Sequence, residues 1–301
     1  MYYENIKSSS DGLNLSIAYS IPSEKPKGII QISHGMAEHK ERYFPFMEYL
    51  TNKGYICIIN DHRGHGLSVK EKEDLGYFYT DNIDYIVNDL YDVTKFAKSK
   101  FNCSDYSMFS HSMGTLVARS YIQRYDNEID KLILCGPPTV NKLANIGLSI
   151  AYISRIFGDT KTNNFLNFLT FNNFNKKYNY NNAWLSKNKN NVDKYNKDNL
   201  CGFIFTTNGF INLYKLQIRA FKKRLYNCNN KNLKILLIAG QDDPVIGNTK
   251  LFDDLKSFLI DLGYNNIDSR LYNQLRHEIL NEEEYITVYQ DIFNFIENNS
   301  Y

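Results

Sequence analysis

The sequence predicts an α/β fold: a mostly parallel sheet with helices on both faces, interrupted by a helical insertion. Three observations carry that prediction. Short, β-branched and nearly continuous apolar runs alternate with helical stretches along most of the chain, and strands of that kind are buried on both faces, as in parallel sheets. The alternation stops after Gly136-Pro137-Pro138 and resumes only at Lys234, a gap too long for an ordinary connection. The 301 residues, 43% hydrophobic and 23% charged, can bury one core carrying an insertion.

The elements follow in order. Leu13 to Ile21 alternates apolar and polar side chains after the Asp11-Gly12 turn, which predicts an opening antiparallel hairpin. Strands are predicted at Gly28 to Ser33, Tyr55 to Asn60, Tyr106 to Phe109, Lys131 to Cys135, Lys234 to Ala239 and Ile267 to Tyr272. Between them, helical spacing marks Arg42 to Asn52, Asn82 to Lys100, Met113 to Tyr125, Thr249 to Leu262 and Glu282 to Asn298. The insertion has helical patterns at Leu143 to Phe157, Asn164 to Phe171 and Gly209 to Tyr226. This divides the chain into a first core part (1–138), a helical cap over the sheet (139–230) and a second core part (231–301).

Composition narrows the function. With 35 basic and 33 acidic side chains and a net charge of +2, no global electrostatic lure is indicated, and no nucleic-acid partner is expected. The Asn-, Lys- and Tyr-rich stretch from Thr162 to Asn199 reads as solvated surface. The five cysteines form no C-x-x-C pair, and three lie in or beside apolar runs, which fits a reducing compartment. Residues Met1 to Gly12 lack the apolar region of a signal peptide, and Leu148 to Phe157 falls short of the ~18 apolar residues a membrane span needs. A cytoplasmic location is therefore expected. No feature of the sequence bears on oligomeric state.

Chemistry concentrates at Ser110-His111-Ser112-Met113-Gly114, between a predicted strand and a predicted helix. A serine on such a turn projects its hydroxyl above the sheet, near the first amides of the helix. Serine needs a base, and that base needs a carboxylate to orient it. Of the six histidines only His277 follows Ser112 in the chain; it lies after the last strand, at the sheet edge where Ser112 emerges. The carboxylate should leave a strand at the same edge between them, and Asp242 and Asp243 both qualify. The order Ser, Asp, His is the one this strand-turn-helix arrangement uses. The tetrahedral intermediate of acyl transfer needs two backbone donors. Met113, next to the nucleophile, and Met36, in the loop after Gly28 to Ser33, are placed to supply them.

The segments His34 to Tyr43 and Asp61-His62-Arg63-Gly64-His65-Gly66-Leu67-Ser68, the serine turn, and Arg276-His277-Glu278 together resemble the monoacylglycerol lipase and lysophospholipase group of α/β hydrolases, also placed under a serine aminopeptidase heading. Ser110 departs from the pattern, which has glycine there. The resemblance covers the core on both sides of the insertion. It implies an eight-stranded α/β-hydrolase sheet and no cofactor. In that group the orienting aspartate lies three residues after the glycine that ends its strand, which selects Asp243; the same comparison supports Met36 and Met113 as oxyanion donors. The implied substrate is a small acyl ester, monoacylglycerol or lysophospholipid.

Rival readings remain at this stage. An aminopeptidase could use the same three residues, but it would need acidic side chains in the cap to hold an ammonium, and Leu143 to Phe171 contains only Asp159. A non-catalytic binding protein would be expected to lack one of the three. His34, His39, His62 and His65 could be counted as metal ligands, although they lie on two separate loops; Asp61 and Arg63 are expected to brace those loops. The apolar stretch Leu148, Ile150, Ala151, Ile153, Ile156 and Phe157 would pack on the core, line an acyl entrance or touch a membrane transiently.

Overall fold

The computed structural model describes residues 1–298. Its centre is a sheet ordered β1-β2-β4-β3-β5-β6-β7-β8. The strands are β1 (Tyr2–Lys7), β2 (Asn14–Ser20), β3 (Gly28–Ser33), β4 (Tyr55–Asn60), β5 (Tyr106–His111), β6 (Lys131–Cys135), β7 (Lys234–Gly240) and β8 (Asn266–Tyr272). The hairpin expected around Asp11-Gly12 is formed by β1 and β2, and β2 runs antiparallel to β4; every pair from β4 through β3 to β8 is parallel.

The continuous apolar runs are explained by burial on both faces. Along β4, Ile56 and Ile58 join one core cluster while Cys57 and Ile59 join the other; along β6, Leu132 and Leu134 part in the same way from Ile133 and Cys135. The first face is covered by α2 (Ile83–Lys100), α3 (Met113–Tyr125) and α8 (Thr249–Asp261), which contribute Leu90, Leu116 and Leu255. The second is covered by α1 (Phe44–Asn52) and α9 (Tyr285–Ile296), through Phe46, Met47 and Ile292. Helix α2 starts where Asn82 accepts a bond from the Asp84 amide, a side-chain cap for one of the free amides of the first turn.

Between β6 and β7 lie α4 (Ala144–Ser154), α5 (Asn164–Phe171), α6 (Lys189–Lys197) and α7 (Thr207–Arg219). Helix α7 carries the buried Phe210, Ile211 and Leu216 into the first cluster. Helix α6 falls inside the polar stretch that sequence reading left as solvated surface: Asn188 caps it, and it buries Val192 and Tyr195. Helix α4 meets α7 along small residues, and Gly147 is needed there because a Cβ would stand 2.7 Å from the Tyr214 ring. The expectation that this stretch packs on the core holds for Leu148, Ile150 and Ala151, which meet the first cluster, and is corrected for Ile153, Ile156 and Phe157, which are 63%, 83% and 80% exposed. Small residues let α4 approach α7 closely, but that seam is narrow and leaves Ile153 and the following Ile156 and Phe157 outside. Among the described residues, no helix is long and apolar enough to cross a membrane.

Candidate active site

The carboxyl ends of β3, β5, β7 and β8 converge on one edge of the sheet, and each sequence-predicted residue lies just beyond one of them. Ser112 follows β5 with φ 51° and ψ −120°, a strained conformation outside the usual regions for a residue with a Cβ. Its amide donates to the Cys135 carbonyl at 3.0 Å. Gly114, the second residue of α3, lies against β3 so closely that a Cβ would stand 2.3 Å from the Ser33 carbonyl oxygen. Gly114→Ala should therefore cost at least about 1–3 kcal/mol through overpacking, read as a drop in melting temperature together with loss of Ser112 reactivity; a variant with both unchanged would refute this account of the turn. Ser110, where the related pattern has glycine, is accommodated because its hydroxyl donates to the Ile133 carbonyl at 2.8 Å.

His277 and Asp243 come together as one unit. Nδ1 of His277 lies 2.8 Å from Oδ2 of Asp243, both residues are buried, and Oδ1 of Asp243 accepts the Val245 amide at 2.8 Å. Gly136 approaches this pair so closely that a Cβ would stand 3.0 Å from Nδ1. Asp242 is exposed, with its amide bonded to the Leu275 carbonyl. Ser112, His277, Met36 and Met113 all line one cavity of about 460 Å³. Its further lining is largely apolar: Leu116, Val140, Phe171, Phe174, Trp184 and Leu213. Among the described residues, the Met36 and Met113 amides have no protein acceptor.

A buried polar network surrounds the three residues, and sequence reading missed most of it. Arg42 donates to Glu38 at 2.6 Å and to both oxygens of Glu278 at 2.7 Å. Glu38 also accepts the Gly35 amide at 2.6 Å and the Tyr43 hydroxyl at 2.9 Å. Burial alone would raise the carboxyls of Glu38 and Glu278, but Arg42 outweighs it and holds Glu38 well below, and Glu278 below, the usual range. His111, one residue before Ser112, sits 3.3 Å from Glu38 through Nδ1 and 3.3 Å from the His277 carbonyl through Nε2. Burial disfavours charge on His111, yet the Glu38 carboxylate lifts its pKa above the ordinary value. Trp184 lies against the His277 ring with centroids 5.1 Å apart, and the neighbouring Leu185 carbonyl accepts the Glu278 amide at 2.7 Å. Glu38 four residues before Arg42 was a visible pair; its partners Glu278 and His111 are too distant in the chain for spacing to reveal.

The remaining histidines serve packing. His34 accepts the His62 amide through Nε2, and its Nδ1 lies 2.7 Å from the Gly35 carbonyl. Burial pushes His62 down to about 3 and His65 down to about 4, so both stay neutral. Asp61 bridges two loops, accepting from the Lys40 amide, the Lys40 ammonium and the Leu67 amide. Arg63 pairs with Asp89 and Asp11. Of the four histidines weighed as ligands, His39 belongs to a group with three donors within 4.8 Å, completed by Asp198 and Cys201. Both its ring nitrogens are already engaged, by Glu41 at 2.5 Å and Asp198 at 2.9 Å.

Comparison with known proteins addresses the family and the fold. The family model described as serine aminopeptidase, S33, matches residues 24–284. A probable lysophospholipase L2 of Haemophilus influenzae is 27% identical over 127 residues, 41% of this chain and 40% of that protein. A monoacylglycerol lipase of Mycolicibacterium smegmatis is 26% identical over 144 residues, 47% of this chain and 49% of that protein. The chain thus spans about half the length, or less, of these curated relatives. A thermostable carboxyl esterase from Bacillus coagulans, solved with glycerol, superposes with a TM-score of 0.91 at 22% identity, covering 99% of this chain and 98% of that one, which shows the common fold. With the family model spanning residues 24–284 and the sheet shared with solved α/β hydrolases, the chain belongs to the serine aminopeptidase S33 family and has the α/β-hydrolase fold.

Proposed function

We propose that the chain is a serine hydrolase that cleaves single-chain acyl esters, monoacylglycerol or lysophospholipid, through an acyl-enzyme on Ser112. The observation that carries this reading is the 2.8 Å bond between His277 Nδ1 and Asp243, at the wall of the cavity that Ser112 also lines. A proton on Nδ1 shared with Asp243 leaves Nε2 of a neutral ring with a free lone pair. In the proposed mechanism Nε2 takes the Ser112 proton as the hydroxyl oxygen attacks the ester carbonyl. The amides of Met36 and Met113 stabilise the oxyanion, the leaving alcohol receives the proton, and water then repeats the cycle on the acyl-enzyme. We read residues 139–230 as the cap that walls this chamber, and the free cysteines, four of them buried, support a reducing, cytoplasmic setting.

The apolar lining supports an acyl chain as the bound group. Each methylene buried contributes about 0.8 kcal/mol, so two added carbons should raise kcat/KM by roughly fifteenfold until the chamber is full. A series of p-nitrophenyl esters from acetyl to palmitoyl is expected to show that rise; a flat series would contradict it. The apolar side chains exposed on α5 and on and beside α4, among them Leu143, Ile153, Ile156, Phe157 and Phe168, support a transient contact with a lipid surface.

The family description favours a second reading, an aminopeptidase on the same three residues. Two carboxylates, Glu38 and Glu278, do line the cavity, but Arg42 bonds both, which offsets one of the two charges and engages oxygens of each that an ammonium would seek. Asp159 pairs with Arg155 at 2.8 Å. Aminoacyl p-nitroanilides are therefore expected to be scarcely cleaved, and their rapid turnover would promote the peptidase.

A further inference from the structure

The backbone around the Met36 amide is pinned from both sides, and one side is not part of the sheet. Upstream, the Gly35 amide donates to Glu38 at 2.6 Å. Downstream, Ala37 stands at φ 52°, a region that a residue with a Cβ adopts only where its surroundings hold it. Its carbonyl accepts two hydrogen bonds, and both come from the segment between β6 and β7: the Tyr195 hydroxyl at 3.0 Å and the Gly202 amide at 2.9 Å. The same segment meets the loop again where Asp198 engages His39 Nε2 at 2.9 Å. The Tyr195 ring is buried and lies over the Arg42 guanidinium, 4.9 Å from its centroid.

We propose that Tyr195 is a positioning residue for the oxyanion hole: by holding the Ala37 carbonyl, the cap keeps the Met36 amide aimed at the site where negative charge develops, so the hole is complete only with the cap seated. This rests on the acyl-transfer reading above. A donor that meets the oxyanion but not the ground-state ester acts on the chemical step, and its misalignment lowers kcat without weakening substrate binding. The cap thereby takes part in catalysis as well as in enclosing the acyl chain.

The test is Tyr195→Phe, which keeps the ring and its place over Arg42 and removes only the hydroxyl. We expect kcat for a decanoyl ester to fall ~10-fold or more with KM within about twofold of wild type. Affinity for a decyl trifluoromethyl ketone, whose adduct with Ser112 carries an oxyanion, should fall by the same factor, while affinity for decanoate stays unchanged. The proposal is overturned if kcat and ketone affinity both stay at wild-type values. It is also overturned if KM and decanoate affinity worsen as much as kcat, the mark of a merely loosened chamber. Ser112→Ala measured alongside separates the two levels: residual ester turnover there defeats the acyl-transfer reading, whereas a dead Ser112→Ala beside a wild-type Tyr195→Phe defeats only the role of Tyr195.

Discussion

Ser112→Ala is expected to abolish ester hydrolysis, with a loss on the order of 10⁴- to 10⁶-fold in kcat, the scale seen when a nucleophile is removed from a triad that acts as a unit. The fold should survive. The Ser112 side chain caps no amide of α3, and the residue's place between β5 and α3 is fixed by its backbone bond to Cys135 and by the close approach of Gly114 to β3. The measurements are the turnover of a medium-chain ester and the melting temperature. A variant that keeps its melting temperature and still hydrolyses ester at the wild-type rate would remove Ser112 from the mechanism.

The second large effect separates two adjacent aspartates. Asp243→Asn should lower kcat by about 10⁴-fold, by analogy with the same change in a serine protease triad. The reason is tautomeric. An asparagine oxygen at this position could still accept the Val245 amide, but its NH₂ would face Nδ1 of His277, placing the ring proton on Nε2, where it cannot accept one from Ser112. Asp242→Asn changes an exposed side chain whose backbone amide, not its carboxylate, holds the turn. It should be nearly silent, and a reversed ranking would transfer the orienting role to Asp242.

The parallel strands were legible because burial on both faces leaves a run such as Tyr55–Asn60 with scarcely any polar interruption. The approximate location of the site was legible for a topological reason: in a parallel sheet the residues that follow each strand gather at one edge, so Ser112, Asp243 and His277 needed only to follow their own strands. What could not be read depended on long-range packing. Helix α6 has only Val192 and Tyr195 buried in a run of Lys, Asn and Asp, too few apolar positions to set a helical period. Tyr195 earned no notice in that run, since only the fold brings its hydroxyl to Ala37. Arg42, Glu278 and His111 each look like an ordinary surface or strand residue until the three loops close around them. The outward turn of Ile153 and Phe157 was hidden for the opposite reason, because an apolar face reads the same whether it packs on protein or faces outward.

The central claim is a covalent acyl-enzyme on Ser112, and trapping it is the most direct measurement. Wild-type protein mixed briefly with p-nitrophenyl decanoate, quenched in acid and digested should yield one peptide heavier by a decanoyl group, with fragmentation assigning the group to Ser112 in the Ser110-His111-Ser112-Met113-Gly114 turn. The adduct should accumulate and decay in step with turnover. An acyl group mapped to another residue and kinetically competent there, or rapid ester hydrolysis with no adduct at any quench time, would contradict the account.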